Sequence, residues 1–555
     1  MAADHQFSGP LTAAEPPADG SPHRTRPPRR TRPSHRTAPA RRIRPPHRTR
    51  PPGARPAAPE EPVIATATRP LPVHPAAPSP PRSRRARRAD RLAVLAPGVL
   101  SLALGLWGIR RQGTLWQDEA VTYDMAHRGL PDLWATLGGA DAVHGLYYLL
   151  MHAVFGLWDG GLVALRLPSV LAMAGAAVGV AAVGRRLAGP RAGPAAGVVF
   201  ALLPVVQRYA QEGRSYALVT ALVVAATWVL LKASDERRRG WWAGYAAPAA
   251  LAGLLHEFAL LVLAAHGVAL LAARAPRPVL RAWATAAGGA AAVVSPLVLL
   301  SLRQSGQVAW IEVSVRTDVL GFLLTAGIGT ACAAVLRHAR APRALGTLAL
   351  PLLLLPPASL LLASAVKPLY VDRYVLYAQA GLALLVAAAL DVLWRSVRPR
   401  AVLACAAAVA VLVAVGPVGT HLRGPASRTD DVAAISRAVR ETTAPGDGVL
   451  FLPGSRRVWT LGREPAAYGA DDLALAAAPH PSHTLYGTEL PPAGIRKRIL
   501  GVSRIVVVRE PARERREANG REEAKETELR DHFTRCEGNT VSTARIEVYE
   551  RGDHC

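Results

Sequence analysis

The sequence predicts an α-helical membrane protein that crosses the bilayer about eleven times, with a disordered N-terminal tail and a small C-terminal α/β domain. Half of the 555 residues are hydrophobic, and the mean hydropathy is +0.17 although 19% of the residues are charged. The charges must therefore be separated from long apolar runs. Residues 425–555 lack such runs and alternate between short strand-like and helix-like segments.

The N-terminal tail, residues 1–90, is rich in proline and arginine. It carries 18 arginines and 6 acidic residues, a net charge of +12 within a total of +26. Such a segment buries too little apolar surface to offset its ordering entropy, so it is predicted to be disordered. A tail this basic could contact nucleic acid. The positive-inside rule favours instead a cytosolic tail that lies on anionic lipid, with no nucleic-acid partner.

Eleven apolar runs are predicted to span the membrane. They lie near residues 92–109, 162–183, 194–209, 216–232, 241–255, 258–273, 283–302, 319–336, 345–366, 374–391 and 401–418. The shorter run 147–158 is predicted to be an interfacial helix. Basic clusters fall on every second loop, on the same side as the tail, as the positive-inside rule requires. An odd number of spans then places the C-terminus outside the cytosol.

The C-terminal segment, residues 425–555, is predicted to be a small extracytosolic domain without a recognisable catalytic motif. Strand-like and helix-like runs alternate along it. The strand-like runs are Gly448–Leu452, Ser503–Val508 and Ala544–Tyr549, and the helix-like runs are Asp431–Glu441 and Ala512–Phe533.

The four cysteines are too few for a disulfide framework. Cys332 and Cys405 fall in apolar runs and are predicted to be inert packing residues. Cys536 and Cys555 lie in the segment predicted to be outside the cytosol, where disulfides persist. The sequence leaves their pairing open.

Ionisable residues collect at the predicted outer ends of the spans. The positive-inside rule disfavours cations in short outer loops, so Arg214, Lys367 and Arg373 need a specific reason. An anionic ligand provides one, because arginine clamps phosphate through two hydrogen bonds and lysine supplies a point charge. Asp118 and Glu119 directly follow the first span, where carboxylates are costly to hold near hydrocarbon and usually serve a function.

Cations beside carboxylates suit glycosyl transfer from a lipid-linked sugar phosphate. The phosphate leaving group needs cations, the acceptor hydroxyl needs a base, and the oxocarbenium-like transition state is favoured by a nearby carboxylate. Neighbouring residues on a helix point about 100° apart, so Asp118 and Glu119 should not share one role. We assign Asp118 as the base and Glu119 as a positioning residue, although the chemistry alone does not decide between them.

Each of these features also has a structural interpretation. An acidic pair after a span is typical of a solvated helix start. Glu212 with Arg214 is typical of a local ion pair. His256 at a tight turn is more often structural than catalytic, and Asp372 with Arg373 resembles a surface pair. Their joint placement on one side of the membrane favours the functional interpretation.

The order and spacing of five motifs resemble those of the protein O-mannosyltransferase-like group of GT-C glycosyltransferases, which includes the lipid A aminoarabinose transferases. The likeness covers roughly residues 90–420. The motifs are Asp118-Glu119 after a span, Asp141-Ala-Val-His144-Gly-Leu-Tyr147-Tyr148, Leu165-Arg166-Leu-Pro168-Ser169, Gln211-Glu212-Gly-Arg214-Ser-Tyr216 and Asp372-Arg373-Tyr374.

The resemblance implies a multi-span fold with interfacial helices in its first outer loop, a polyprenyl-phosphate sugar donor and an inverting mechanism. It implies that Asp118 acts near the acceptor and that Arg214, Tyr216 and the region Lys367–Tyr374 contact the donor phosphate. The chain departs from many relatives at residues 144–146, where it has His-Gly-Leu rather than His-Pro-Pro.

The sequence therefore predicts a GT-C-like glycosyltransferase domain over residues 91–424. It would move a sugar, mannose by the resemblance, from polyprenyl phosphate to a hydroxyl of an unknown glycan, lipid or protein. The predicted catalytic residues are Asp118 and Glu119. The predicted donor-phosphate residues are Arg214, Tyr216, Lys367, Arg373 and Tyr374, and the predicted acceptor-side residues are Asp141, His144, Gln211, Glu212 and His256.

No cofactor is predicted with certainty. The aspartate and histidine groups could hold a divalent metal, but no metal-ligand spacing is recognisable, so no metal site is predicted. The alternative function is a polytopic transporter or lipid flippase of the cell envelope. A transporter usually places ionisable groups near mid-membrane and has internal repeats, whereas here these groups lie at span ends and no repeat is visible. A third alternative, a non-catalytic scaffold, would leave Asp118 dispensable.

Overall fold

The structure is a computed structural model that describes residues 84–304, 306, 314–396, 400–462, 464–510, 519–552 and 555. Residues 1–83, which make up most of the predicted disordered tail, lie outside this range. The described helices, numbered in chain order, are α1 (Arg84–Leu106), α2 (Gln117–His127), α3 (Leu130–Gly139), α4 (Gly145–Leu157), α5 (Leu162–Ala188), α6 (Ala192–Leu202), α7 (Pro204–Ala210), α8 (Tyr216–Glu236), α9 (Arg239–Leu255), α10 (Leu261–Ala272), α11 (Arg277–Arg303), α12 (Leu320–His338), α13 (Arg343–Ala363), α14 (Gln379–Ser396), α15 (Arg400–Val415), α16 (Pro417–Leu422), α17 (Val432–Thr442), α18 (Pro492–Ile499) and α19 (Gly520–His532).

Eight helical segments within the described residues are long and apolar enough to cross a membrane. Each coincides with a run predicted from the sequence, so the α-helical membrane fold is confirmed. The segments are Arg88–Gly113, Leu162–Ala188, Tyr216–Glu236, Arg277–Arg303, Thr317–His338, Arg343–Ala363, Asp372–Ser396 and Arg400–Leu422.

The other three predicted spans are also helical, but their helices are shorter than these eight segments. α6 has 11 residues, α9 has 17 and α10 has 12. The predicted run 194–209 breaks between Leu203 and Pro204, since proline has no backbone N–H to continue a helix and instead begins α7. His256 has extended backbone dihedrals and separates α9 from the turn that leads into α10.

The loop after the first span folds into three short helices, α2, α3 and α4, as the resemblance implied. α4 corresponds to the run 147–158 that was predicted to be interfacial. It buries Tyr147, Tyr148 and Met151 and packs against α2. The loop is therefore a packed platform rather than an open connection.

The C-terminal segment contains a five-stranded mixed sheet in the order β2-β1-β5-β7-β6 and a two-stranded sheet of β3 and β4. β1 runs parallel to β2 and β5, whereas β7 is antiparallel to β5 and β6. The strands are β1 (Gly448–Leu452), β2 (Asp471–Asp472), β3 (Leu475–Ala477), β4 (Thr488–Glu489), β5 (Arg504–Arg509), β6 (Phe533–Val541) and β7 (Ala544–Arg551).

The predicted α/β character of this segment is confirmed. The three strand-like runs correspond to β1, β5 and β7, and the two helix-like runs correspond to α17 and α19. Residues 511–518, at the start of the second helix-like run, lie outside the described residues. β1 is buried along its whole length, which explains its continuous apolar sequence.

A disulfide joins Cys536 on β6 to Cys555, which answers the question that the sequence left open. The two Cα atoms lie 5.4 Å apart, within the range that a disulfide requires. Cys332 is half-buried on α12, and Cys405 is exposed on α15.

The C-terminal sheet domain is hydrogen-bonded to the platform beside α2. The Val432 N–H donates to the Leu115 carbonyl over 2.6 Å, and the Gln117 N–H donates to Asp430 Oδ1 over 2.9 Å. Asp431 caps α17 by accepting from the Ala433 N–H and also accepts from the Leu115 N–H. These contacts hold the domain directly next to the acidic pair.

Candidate active site

A cavity of about 1030 Å³ lies where the span ends, the platform and the C-terminal domain meet. Its membrane-side wall comes from the ends of several helices. Tyr216 begins α8, His256 follows α9, Ser301 lies in the last turn of α11, and Arg373 precedes α14. All of these are ends that the sequence predicted to be on the outer side.

Ten of the twelve predicted site residues line this cavity, although they come from separate loops. They are Asp118, Asp141, His144, Glu212, Arg214, Tyr216, His256, Lys367, Arg373 and Tyr374. Glu119 and Gln211 do not line it. The fold thus brings the predicted donor-side cations and the predicted base into one space.

Glu119 is fully buried behind the cavity wall, in an ion-pair network. Its carboxylate pairs with Arg111 and accepts from Arg166 Nε over 2.8 Å and Arg166 Nη2 over 2.7 Å, and it also accepts from the Gly213 N–H. Burial alone would raise its pKa, but the two arginines and these hydrogen bonds lower it to about 2. Glu119 therefore ties α2 to α5 and to the turn before α8.

Gln211 has a comparable structural position. Its side-chain amide donates to the Gly105 carbonyl over 2.8 Å and to the Trp107 carbonyl over 2.6 Å. These bonds satisfy carbonyls at the end of α1, which have no partner within the helix. Gln211 thus fixes the end of the first span against the loop that carries Arg214.

Asp118, on the first turn of α2, faces the cavity. Its side chain is 22% exposed, and its Oδ2 lies 3.5 Å from Arg373 Nη2. The Arg373 guanidinium is also within 3.3 Å of the Tyr216 hydroxyl and lies over the rings of Trp116, Tyr216 and Tyr374 at 5.6–5.7 Å. Ring faces attract a cation, so they hold this guanidinium beside Asp118.

Arg214 lies near the same carboxylate and connects its own loop to α2 and α4. Its Nη1 donates to the Tyr148 hydroxyl over 3.2 Å, to Thr122 Oγ1 over 3.3 Å and to the Asp118 carbonyl over 3.4 Å. The Tyr148 hydroxyl in turn donates to Asp141. Lys367 is an exposed cation of the same cavity, at the turn before α14.

Glu212 is buried, whereas Asp141 is half-buried like Asp118. Burial raises the pKa of Asp141, and Arg214 opposes this effect. Burial likewise raises the pKa of Glu212, which pairs with Arg428 of the C-terminal domain at 3.4 Å. Of the predicted acids, Asp118 is the one whose carboxylate pairs with Arg373.

His144 and His256 also line the cavity, with ring centroids 5.7 Å apart. Burial and the nearby arginines lower the pKa of His144 well below its usual value and lower that of His256 to about 3. Both rings are therefore uncharged at neutral pH. Their Nδ1 atoms are buried without a hydrogen-bond partner in the described part of the chain, which a bound ligand would relieve.

Comparisons with known proteins agree with this architecture. A model of the family described as dolichyl-phosphate-mannose-protein mannosyltransferase matches residues 145–300. The crystal structure of ArnT from Cupriavidus metallidurans bound to undecaprenyl phosphate has a TM-score of 0.50 and 13% identity, over 84% of this chain and 98% of that chain. Its apo structure has a TM-score of 0.52 and 14% identity, over the same shares. No curated protein matches the sequence.

The resemblance to the GT-C group is confirmed. At these identities the structural likeness shows the fold, and the family match covers α4 to α11. Among the residues that the structure describes, no group of three or more His, Cys, Asp or Glu side chains is arranged to hold a metal ion.

Sequence reasoning missed the part of the site that the C-terminal domain contributes. Asp430, Arg456, Trp459, Tyr486 and Glu510 line the cavity beside the GT-C domain. The one local indication was an acidic pair at residues 430–431 immediately before a helix-like run. That pair predicts a helix cap, which Asp431 is, but it does not predict the contact of Asp430 with Gln117.

Proposed function

We propose that this membrane glycosyltransferase transfers mannose from a polyprenyl-phosphate carrier to an acceptor hydroxyl at the extracytosolic face, with inversion at the anomeric carbon. The observation that carries the proposal is the pair of Asp118 and Arg373, 3.5 Å apart in one cavity. A carboxylate that could serve as base and a cation that could hold phosphate thus border the same space. The description of the matching family supports mannose as the sugar.

The donor phosphate would be held by Arg373, Arg214 and Lys367. Arginine offers paired donors to phosphate oxygens, and lysine adds a movable point charge. Tyr216 and Tyr374 flank Arg373 and keep its guanidinium in place. The similar fold of ArnT, whose structure contains undecaprenyl phosphate, supports a polyprenyl carrier.

The reaction needs one base and one phosphate leaving group. Asp118 would take the proton of the acceptor hydroxyl while that oxygen bonds to the anomeric carbon. The bond from this carbon to the phosphate oxygen breaks, and polyprenyl phosphate leaves with its charge stabilised by Arg373 and Arg214. A single displacement of this kind inverts the configuration.

The acceptor side would be formed by Asp141, His144, Glu212 and His256. Asp141 accepts a hydrogen bond from Tyr148, and the lowered pKa values of the two histidines make them weak bases, so these three groups can orient an acceptor without competing for its proton. Glu119 and Gln211 are assigned as positioning residues, because they hold the loops that carry Asp118 and Arg214.

The extracytosolic orientation is supported by charge and by cysteine chemistry. The cavity lies at the span ends opposite the basic clusters, such as Arg237–Arg239 after α8, which the positive-inside rule places in the cytosol. The C-terminal domain beside the cavity carries the Cys536–Cys555 disulfide, which suits an oxidising compartment. The N-terminal tail would then be cytosolic.

The direct test uses the full-length protein in lipid nanodiscs with polyprenyl-phosphate mannose. Asp118→Asn should abolish transfer, while binding of undecaprenyl phosphate and the melting temperature stay at wild-type values. Asp159→Asn, an exposed acid after α4 and outside the cavity, is the matched control and should keep activity. Transfer at the wild-type rate by Asp118→Asn would overturn the assignment of the base.

A further inference from the structure

The C-terminal domain closes one side of the cavity with polar and aromatic side chains that the proposed mechanism does not use. Arg456 and Trp459 follow β1, Tyr486 lies in the loop between β3 and β4, and Glu510 follows β5. Asp430 precedes α17. We call these five residues the domain wall, and its chemistry indicates what the cavity accepts on this side.

The domain wall is fixed next to the proposed base by direct hydrogen bonds. Arg456 Nη1 donates to the Gln117 side-chain carbonyl over 2.8 Å, and the Gln117 N–H donates to Asp430 Oδ1 over 2.9 Å. Trp459 Nε1 donates to Asp430 Oδ2 over 3.2 Å. Since Gln117 immediately precedes Asp118, a ligand on this wall lies within reach of the base.

The charge of the domain wall differs from that of the donor side. Arg456 is neutralised by an ion pair with Glu510 and lies over the Trp459 ring at 5.1 Å. The donor side instead carries three cations, Arg214, Lys367 and Arg373, of which Arg373 pairs with Asp118. The wall is therefore a poor site for a phosphate or another anion, and the anionic donor is directed to the opposite side.

Tyr486 adds a hydrogen-bond donor to the cavity, near the charges of Asp141 and the proposed base Asp118. Burial raises the pKa of its phenol, and the charges of Asp141 and Asp118 raise it further. The phenol thus stays protonated and can both donate and accept a hydrogen bond. Sugar hydroxyl groups also donate and accept, and an aromatic ring offers an apolar surface to the C–H face of a sugar.

We infer that the domain wall binds a neutral carbohydrate acceptor, with Tyr486 and Arg456 hydrogen-bonding hydroxyls of the sugar unit whose reacting hydroxyl meets Asp118. The inference rests on the proposed function and names its acceptor class. A neutral polyol matches the paired charges, the amide of Gln117 and the aromatic rings. An anionic acceptor would meet the carboxylates of Asp430 and Glu510 instead.

The test measures acceptor binding and donor binding separately on the full-length protein in nanodiscs. Titration calorimetry would follow neutral mannan, arabinan and glucan tetrasaccharides, a phosphorylated mannose oligosaccharide and a Ser/Thr-rich peptide. The variants are Tyr486→Phe and Arg456→Gln, with melting temperatures measured for each. Tyr549→Phe on β7 is the matched control, since this tyrosine bonds to Glu547 and does not line the cavity.

The expected result is that the wild type binds at least one neutral tetrasaccharide and that each variant weakens this binding by about tenfold, the cost of one lost hydrogen bond in a buried site. Undecaprenyl phosphate binding and the Tyr549→Phe control should not change. The inference is overturned if the wild type binds none of the neutral sugars, if it prefers the anionic sugar or the peptide, or if both variants bind as the wild type does.

The donor measurement keeps the two proposals apart. Absence of undecaprenyl phosphate binding, or binding that does not depend on Arg214 and Arg373, would overturn the proposed function whatever the sugar titrations show. Normal donor binding without sugar binding would overturn only the acceptor class assigned to the domain wall.

Discussion

Asp118 and Glu119 are adjacent in the chain, but their carboxylates lie on opposite sides of the cavity wall. Asp118 borders the cavity 3.5 Å from Arg373, whereas Glu119 is sealed between Arg111 and Arg166. The helical rotation between successive residues of α2 produces this separation. One residue of the pair is thus available for chemistry, and the other fixes the helix that presents it.

Removal of the Glu119 charge should destabilise the protein. Glu119→Gln leaves the buried guanidinium groups of Arg111 and Arg166 without their shared anion, a change that typically costs about 3–5 kcal/mol. Thermal unfolding in detergent should show a clearly lower midpoint. Asp118→Asn is the comparison, because its half-buried side chain should change stability by less than about 1 kcal/mol. Equal midpoints for the two variants would contradict the structural role.

The Glu119 network should also make stability depend on acidic pH. Its pKa is lowered from 4.5 to about 2, so its contribution is complete above pH 4.5 and is lost as the pH falls towards 2. The wild type should therefore lose its stability advantage over Glu119→Gln within this window. Melting temperatures of both proteins at pH 6, 4, 3 and 2 would measure it, and a constant difference across the series would refute the prediction.

Arg373 should be needed for donor affinity, and lysine should not substitute for it. Arg373→Lys keeps the charge but loses the planar fork and its stacking on Trp116 and Tyr216. A lost charge-assisted hydrogen bond weakens undecaprenyl phosphate binding by about tenfold or more. The control Arg186→Lys, in the last turn of α5, outside the cavity and paired with Asp235, should bind normally. Wild-type affinity in Arg373→Lys would argue against a bidentate clamp.

The disulfide should stabilise the C-terminal domain. Cys536 and Cys555 are 19 residues apart, and closing a loop of this size contributes about 3 kcal/mol. The double variant Cys536→Ser/Cys555→Ser should therefore unfold at a lower temperature than the wild type. Maleimide labelling of the unfolded, unreduced wild type should modify Cys332 and Cys405 alone. Labelling of all four cysteines would show that the bond does not form.

The membrane fold could be predicted because apolar run length is a direct physical requirement of the bilayer. The sequence overestimated one long span, the run 194–209, which breaks at Leu203–Pro204. The break at His256 coincides with the turn predicted between the runs 241–255 and 258–273. β6 was missed for a different reason. It is an edge strand, mostly exposed, and contains Gly538 and Asn539, so it lacks the alternation that marks a half-buried strand.

The candidate site was predictable on one side only. Arg214, Lys367 and Arg373 stood out because cations in short outer loops violate a charge rule that acts locally along the chain. No such rule applies to Tyr486 or Arg456, which are ordinary residues of a sheet domain. Their position depends on tertiary contacts such as that between Asp430 and Gln117, which are 313 positions apart.

The distance in sequence between the two halves of the cavity affects when the site can work. Gln117 is synthesised early and Tyr486 late, yet both border the same space. A nascent chain that has inserted its first helices still lacks the domain wall. The finished pocket therefore forms only after the C-terminal domain has been synthesised and has docked.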